Sequence, residues 1–205
     1  MQILDSIQVF TLLEDIERYD NDTFMHCVRV NNLSMMIAEN MHLSEQMKED
    51  LFVASLLHDY GKIFIPKKLL FKKGRMTTDE YHVAKLHVKL GVEYLKDFSC
   101  CSAECIKGIR QHHERLDGLG YPDGICNIGI LGRIIGVVDV FDALTDTRCY
   151  KGRCSREYSR KVLRSDGGIK LDEEVINCLE KILDNDYVFD DEYLHSIRER
   201  SCSTD

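Results

Sequence analysis

Proline and tryptophan are scarce in this chain of 205 residues, which contains two prolines and no tryptophan. Because proline breaks the interior of a helix, so low a content favours a mostly helical protein. Positive charge is also in deficit, since 27 Lys and Arg residues stand against 35 Asp and Glu residues, for a formal net charge of −8. This balance argues against a general DNA- or RNA-binding protein, although a local basic patch could still bind a phosphate group.

Long hydrophobic runs and paired cysteines are absent as well. The longest nearly apolar run, Leu51 to Leu57, is far shorter than the roughly 20 residues of a membrane-spanning helix. The first 18 residues include acids and lack the basic start of a signal peptide. None of the nine cysteines forms a C-x-x-C pair, which favours free thiols over a structural zinc site. We therefore expect a cytoplasmic protein with no membrane contact.

Apolar residues recur at helical spacing along most of the chain. We predict a single all-α domain over residues 1–205, with a short N-terminal helix at 4–19, a core at about 20–183, and an acidic segment and tail at 184–205, of which 198–205 are frayed. Four helices are predicted by their ranges: Leu4–Tyr19, Gly129–Thr147, Ser155–Leu163 and Leu171–Leu183. Between the first two of these, we predict one helix capped by Thr23, one capped by Ser44 and stopped by Gly61, and one leading to His112. A further helix is opened by a Thr77–Glu80 capping box and carries an apolar stripe of Val83, Leu86, Leu90 and Tyr94.

Most of the histidines are placed so that a helix turns them toward the core. The residues concerned, each on its own predicted helix or in a doublet, are His26, His58, Asp59, His87, His112, His113 and Asp139. Apolar residues one turn earlier, such as Ala54 before His58 and Val83 before His87, suggest burial. Unpaired buried polar groups cost several kcal/mol each, so a shared metal cluster is the economical explanation. Imidazole and carboxylate without thiolate suit Fe, Mn or Zn.

The His58–Asp59 doublet indicates more than one ion. Neighbouring helical residues differ by about 100° in direction, so the two side chains can flank two ions, with Asp59 as a bridge. For any single histidine, an isolated core or surface position remains the alternative. His42, His82 and His195 lack such company and are predicted to be structural.

Four stretches resemble the HD-GYP subfamily of HD metal-dependent phosphohydrolases. They are "DTFMHCVRV" (Asp22–Val30), "HDYGK" (His58–Lys62), "HHERLDGLGYPDG" (His112–Gly124, with the Gly-Tyr-Pro tripeptide) and "RIIGVVDVFDALTDTRCY" (Arg133–Tyr150). The resemblance implies an all-helical HD-type domain with a bi- or trinuclear metal site between helices, commonly of iron or manganese, that hydrolyses cyclic di-GMP. Zinc, nickel or magnesium could occupy the site in a preparation. Two departures are Tyr60 in place of a small aliphatic residue and a shorter loop after Pro122.

The resemblance also implies roles for individual residues. All seven of the family's metal ligands are present, at His26, His58, Asp59, His87, His112, His113 and Asp139. Asp22 stands where three-metal members carry an acid, so it is either a third-metal ligand or, with Thr23, a cap of the helix. Lys62, one turn after His58, is expected to stabilise charge on the phosphate, and Arg148 matches a phosphate-contacting position. Tyr121 in the Gly118–Gly124 loop either covers the ligand or docks a diguanylate cyclase.

Charge distribution is consistent with an anionic substrate. Residues 60–78 contain six basic residues and no acid, and residues 147–161 contain six basic residues and one acid. Either a solvated basic face or electrostatic steering of a dinucleotide explains these runs. We expect hydrolysis of cyclic di-GMP to linear pGpG, and further to GMP in some members, by a metal-bridged hydroxide. The alternatives are a phosphodiesterase for another cyclic dinucleotide, such as cyclic GMP-AMP, and a non-catalytic cyclic di-GMP sensor. A homodimer is a further expectation.

Overall fold

The described residues of the computed structural model, 3–145, 156–185, 187–189 and 191–202, form helices and, apart from one isolated bridge between Gly167 and Leu171, no β structure. The prediction of an all-α fold is therefore confirmed. The helices are α1 (Ile3–Tyr19), α2 (Asn21–Asn40), α3 (Glu45–Leu57), a 3-10 helix (Tyr60–Phe64), α4 (Lys67–Leu70), α5 (Thr78–Leu95), α6 (Ala103–Gln111), α7 (Ile130–Thr145), α8 (Arg156–Asp166), α9 (Glu173–Asp184) and α10 (Asp191–Cys202). Within these ranges no helix combines the length and hydropathy needed to cross a bilayer.

Side-chain caps fix where several helices begin. Ser44 caps α3, and Thr77 opens α5 with Glu80 in a reciprocal capping box, both as predicted. The prediction that Thr23 caps α2 is wrong. Asp20 is the cap, and its carboxylate accepts hydrogen bonds from the Thr23 amide (2.8 Å) and the Thr23 hydroxyl (2.6 Å). Thr23 therefore lies inside the first turn, where its amide is one of the donors that a cap satisfies.

The prediction that Gly61 stops α3 is wrong, because that helix already ends at Leu57. Gly61 lies instead in the following 3-10 helix, where it packs against the backbone of α5. A Cβ atom at this position would lie 1.8 Å from the carbonyl oxygen of His87, and Gly91 faces it from the same helix. Only glycine allows this approach, which brings the end of α3 close to His87.

The apolar stripe predicted for α5 faces outward. Four of its members, Val83, Leu86, Leu90 and Tyr94, are 36–45% exposed. The buried face of the helix consists of His87, Val88, Gly91 and Leu95. Val83 therefore does not share the buried face with His87, contrary to the sequence argument. The reason is that α5 packs through its His87–Gly91 face against the 3-10 helix and α6.

The centre of the molecule is built by α2 and α7. Helix α7 is buried along most of its length, including Ile134, Ile135 and Val138, and it packs against α2 and α6. Gly136 on α7 lies so close to the end of α6 that a Cβ atom would be 2.7 Å from the His112 carbonyl oxygen. Gly136 therefore permits a close approach that a larger residue would block. The close approach of α6 and α7 thereby brings His112 and Asp139 to the same region.

Residues 198–202, predicted to be frayed, belong to α10. That helix is held by an apolar and a polar contact. Ile197 is buried in the core, and the Tyr193 hydroxyl donates a hydrogen bond to Asn31 on α2. A nearby tyrosine, Tyr187, makes the same kind of bond to Asn32 at 2.7 Å. The acidic composition of this segment obscured its few apolar residues, which lie at helical spacing.

Candidate metal centre

Five helices bring the seven candidate ligands into one cluster. His26 lies on α2, His58 and Asp59 directly follow α3, His87 lies on α5, His112 and His113 directly follow α6, and Asp139 lies on α7. The side chains are largely withdrawn from solvent, and the most exposed of them, His113, is 18% exposed. The structure thus places all the predicted ligands together.

Asp59 is at the centre of this cluster and is 1% exposed. Its Oδ1 lies 3.4 Å from His87 Nε2, and its Oδ2 lies 3.5 Å from His58 Nε2 and 3.6 Å from His26 Nε2. The two oxygens therefore face two different groups of histidines. The groups are Asp59 with His87, His112 and His113, and Asp59 with His26 and His58; within each, the ligand atoms lie within 4.8 Å of one another.

Backbone carbonyls set the orientation of three of the imidazoles. In each case Nδ1 lies at hydrogen-bonding distance from the carbonyl oxygen three residues earlier: His58 to Ser55 at 2.8 Å, His87 to Ala84 at 2.7 Å and His112 to Ile109 at 2.6 Å. A carbonyl only accepts, so Nδ1 carries the proton. The unprotonated Nε2 then faces the cluster, which is the form that a metal ligand needs.

Several polar atoms in the cluster have no hydrogen-bond partner among the described residues. They include Asp59 Oδ1, His87 Nε2 and His112 Nε2, all buried. Buried polar atoms are almost always satisfied, because an unsatisfied one costs free energy. Unpartnered lone pairs on two imidazoles and a carboxylate are satisfied together by a divalent cation. The residues present therefore fit a metal-binding role, and the clustered His and Asp side chains could hold metal ions.

Burial keeps most of these imidazoles neutral. It lowers the pKa of His58 and His87, and together with the neighbouring His58 and His87 it lowers the pKa of His112 to about 3. The effect is strong because a buried imidazolium loses its hydration. Neutral imidazole is the metal-binding form, so these side chains need not lose a proton to bind a cation at neutral pH.

Asp139, on α7, brings a second carboxylate to the cluster. Its Oδ1 lies 3.1 Å from His26 Nε2, and its Oδ2 lies 3.7 Å from His113 Nδ1. Burial raises the pKa of Asp139, but the hydrogen bond with His26 and the nearby His113 outweigh it and hold the pKa well below its ordinary value. The carboxylate is thus ionised and, like Asp59, lies beside histidines of both groups.

Sequence reasoning missed a carboxylate behind His26. Asp142 Oδ2 lies 2.7 Å from His26 Nδ1, and Arg29 binds both oxygens of Asp142 in a fork at 2.7 and 2.8 Å. Burial lowers the pKa of His26, but the bonds to Asp139 and Asp142 raise it to about 9. A signal was present: Arg29 follows His26 by three residues and Asp142 follows Asp139 by three, so each pair shares a helix face.

Lys62 and Asp22 occupy different environments. The Lys62 ammonium forms an ion pair with Asp59 Oδ2, while its side chain remains 28% exposed, so it lies at the rim of the cluster. Asp22 lies exposed in the first turn of α2 and belongs to neither ligand group. The alternative that Asp22 caps the helix is wrong, because Asp20 does so. Its role toward a third metal stays a prediction.

Tyr121 lies directly over the cluster. Its ring stacks on His113, with 4.5 Å between ring centroids and 29° between planes. The loop that carries it is held by Glu114, which is 2% exposed. The Glu114 carboxylate accepts hydrogen bonds from the amides of Asp123 (2.6 Å), Gly124 (3.2 Å) and Ile125 (3.1 Å). Glu114 was not singled out from the sequence, although it directly follows the His112–His113 doublet.

Some of the basic residues expected to steer an anion have partners within the protein. Lys72 pairs with Glu80 at 2.6 Å, Arg160 pairs with Asp184 at 2.6 Å, and Lys67 lies over the Tyr19 ring. Arg148, the predicted phosphate contact, lies outside the described residues, as do its basic neighbours at 151 and 153. The predicted steering therefore depends on fewer free charges than the sequence suggests.

Comparison with known proteins supplies the family. The HD-domain profile matches residues 12–175. The chain belongs to the HD-domain family. It is 36% identical over 172 residues to the cyclic di-GMP phosphodiesterase response regulator RpfG of Xanthomonas campestris, a match that covers 82% of this chain and 45% of RpfG. It is 33% identical to 3'3'-cGAMP-specific phosphodiesterase 1 of Vibrio cholerae, covering 77% of this chain and 37% of that protein. The HD chain thus spans less than half the length of either relative.

A solved structure agrees with this assignment. Bd1817, an HDG"Y"P protein from Bdellovibrio bacteriovorus, superposes with a TM-score of 0.64 at 25% identity, over 78% of this chain and 51% of that one. The HD-GYP resemblance read from the sequence is thereby confirmed.

Proposed function

We propose that this HD-GYP chain is a metal-dependent phosphodiesterase that hydrolyses cyclic di-GMP to linear pGpG, and further to GMP if the linear product rebinds. The observation that carries the proposal is the position of Asp59, whose two oxygens face two separate groups of buried imidazoles. Such an arrangement suits two neighbouring cations. The relatives named as phosphodiesterases for cyclic di-GMP and 3'3'-cGAMP support the choice of a cyclic dinucleotide.

The proposed ligands are His87, His112 and His113 for one ion and His26, His58 and Asp139 for the other, with Asp59 shared and Asp22 as a candidate for a third. A nitrogen and carboxylate set suits iron or manganese. Cys27, buried beside Asp59, does not alter this choice, because burial raises the pKa of its thiol and keeps it neutral. When bound, such ions lower the pKa of a coordinated water and polarise a phosphoryl oxygen.

The remaining residues bind and orient the substrate. Lys62 lies at the rim, partly exposed, where its ammonium can contact a phosphoryl oxygen while it stays paired with Asp59. Tyr121 covers His113 and limits the access of water from that side. Arg148 remains the predicted second phosphate contact, because a guanidinium binds phosphate in a planar fork. Hydrolysis adds one water across a P–O bond, so the chain needs no further co-reactant.

Two alternatives have specific support. The match to a 3'3'-cGAMP-specific enzyme favours cyclic GMP-AMP as a second candidate substrate.

For partners, a diguanylate cyclase docking on the Gly118–Gly124 loop is supported by Leu119, which is 84% exposed in that loop. A homodimer stays a prediction. A binding assay run beside a turnover assay separates the enzyme from a sensor that only binds cyclic di-GMP.

The test is anaerobic purification, metal analysis, and incubation with cyclic di-GMP, 3'3'-cGAMP and cyclic di-AMP, with products separated by chromatography. We expect at least two metal ions per chain and linear pGpG as the first product of cyclic di-GMP. Faster cleavage of 3'3'-cGAMP would change the assigned substrate within the same class. Metal-loaded protein that binds cyclic di-GMP but does not cleave it would overturn the enzyme and favour the sensor.

A further inference from the structure

Lys85 on α5 is held between two tyrosines at the edge of the metal centre. Its Nζ lies 4.5 Å from the centroid of the Tyr81 ring and 4.8 Å from the centroid of the Tyr121 ring. The side chain is half-buried. In the part of the chain that the structure describes, no carboxylate forms an ion pair with it. Lys85 is therefore a cation that two aromatic rings position and that no carboxylate of those residues neutralises.

Other lysines near α5 behave differently. Lys72 pairs with Glu80 at the start of the helix, and Lys96 pairs with Glu93 at its end. Aromatic faces attract an ammonium through their quadrupole, which carries no net charge. Two tyrosines thus position Lys85 while leaving it free to bind an anion. A lysine needed only for solubility would extend into solvent rather than lie over two rings.

The location of Lys85 indicates which anion it binds. Tyr121 stacks on His113, and the same Tyr121 ring contacts Lys85. The ammonium is therefore separated from a candidate metal ligand by a single aromatic ring. Lys62, in contrast, pairs directly with Asp59 inside the cluster rim. Lys62 therefore contacts the cluster itself, whereas Lys85 is joined to it only through the Tyr121 ring, which places Lys85 for a second phosphate rather than for the one at the metals.

We infer that Lys85 binds the second phosphodiester of a cyclic dinucleotide, the one that is not being cleaved. This inference rests on the proposed function, because a cyclic dinucleotide carries two phosphodiesters and the metal centre acts on one at a time. The ammonium acts as a point charge for the other. Lys85 thereby selects substrates with two phosphodiesters over those with one.

The experiment compares Lys85→Met, which removes the charge and keeps an unbranched side chain one atom shorter, with Lys85→Arg and with the control Lys89→Met, at an exposed lysine one turn further along α5. Lys85→Met should raise the KM for cyclic di-GMP and for 3'3'-cGAMP about tenfold, because losing a hydrogen bond between charged groups weakens binding by about that factor. Its kcat and metal content should stay at the wild-type level. Lys85→Arg should recover most of the affinity, and Lys89→Met should match wild type.

Two further measurements make the outcome specific. Hydrolysis of bis(p-nitrophenyl) phosphate, which has one phosphodiester, should be unchanged in Lys85→Met, and binding of a phosphorothioate analogue of cyclic di-GMP should weaken by the same factor as KM rises. An unchanged KM, an equal loss on the one-phosphodiester probe, or a loss confined to one of the two dinucleotides would overturn the assignment. If the wild-type protein neither binds nor cleaves any cyclic dinucleotide, the proposed function itself fails.

Discussion

Asp59 is the residue on which both halves of the centre depend. Its two oxygens face separate histidine groups, so it is the carboxylate that both candidate ligand groups share. Asp59→Ala should reduce the amount of bound metal and abolish hydrolysis of cyclic di-GMP. It should keep the helical fold, because the substitution removes a metal-binding carboxylate and no apolar side chain of the core. Metal analysis and far-ultraviolet circular dichroism measure these outcomes.

The control for this variant is Asp97→Ala, which removes an exposed aspartate after α5. It should keep full metal content and turnover. Wild-type metal occupancy and turnover in Asp59→Ala would contradict the bridging role.

Asp142 acts one step behind the ligands. Its carboxylate accepts a hydrogen bond from His26 Nδ1, and the Arg29 fork fixes the position of that carboxylate. Asp142 therefore orients the imidazole and makes Nε2 a stronger electron-pair donor to a metal ion. Asp142→Asn should weaken metal affinity roughly 10- to 100-fold, the usual effect of losing such a partner. Competition with a chelator measures the affinity.

Asp184→Asn is the matched control for Asp142→Asn, because Asp184 also pairs with an arginine but contacts no candidate metal ligand. Its metal affinity should equal that of wild type. Equal affinities in all three proteins would show that the Asp142 contact serves packing alone.

At the scale of single elements, the loop that carries Tyr121 depends on Glu114. A glutamine side chain keeps one acceptor oxygen and places an NH2 group against backbone donors, so Glu114→Gln should release part of the loop. We expect faster hydrogen exchange at residues 118–125, a free energy of unfolding lower by about 1–3 kcal/mol, and unchanged metal content.

The comparison variant is Glu104→Gln, on the exposed side of α6. It should leave exchange in the loop unaltered. Wild-type exchange at residues 118–125 in Glu114→Gln would mean that other contacts hold the loop, such as the bond from the Tyr121 amide to the His113 carbonyl oxygen (3.1 Å).

The elements also show how far sequence reasoning reaches. Caps at Ser44 and Thr77 were predictable because their signals are local. The convergence of the seven candidate ligands was predictable because each lies on or beside a helix at regular intervals. Features that depend on partners distant in sequence were not. The outward face of α5, the approach of Gly61 to His87 and the burial of Ile197 are decided by which helix packs against which. Asp142 shares a helix face with Asp139, which is a local signal, but its contact with His26 also requires α2 to lie beside α7.

For the whole molecule, the metal centre is also a structural junction. The candidate ligands lie on or directly after α2, α3, α5, α6 and α7, at positions 26 to 139, so cations bound there would join five helices. Without cations, the buried atoms Asp59 Oδ1, His87 Nε2 and His112 Nε2 have no partner among the described residues. The native state alone offers this assembled site, because an unfolded chain holds the same residues apart.

Metal removal should therefore lower the thermal stability of the entire domain rather than loosen one loop. At a metal concentration about 100 times the Kd, binding to the native state contributes about 2.7 kcal/mol, and each kcal/mol shifts the Tm of a protein of this size by about 2–4 °C. Chelation should thus lower the Tm by about 5–11 °C, and added manganese should restore it in a concentration-dependent way. Calorimetry measures the shift, with Asp59→Ala as a control that should respond weakly to either treatment. A Tm that is independent of metal in the wild-type protein would mean that the histidine cluster is assembled by packing alone and that cation binding contributes nothing to the fold.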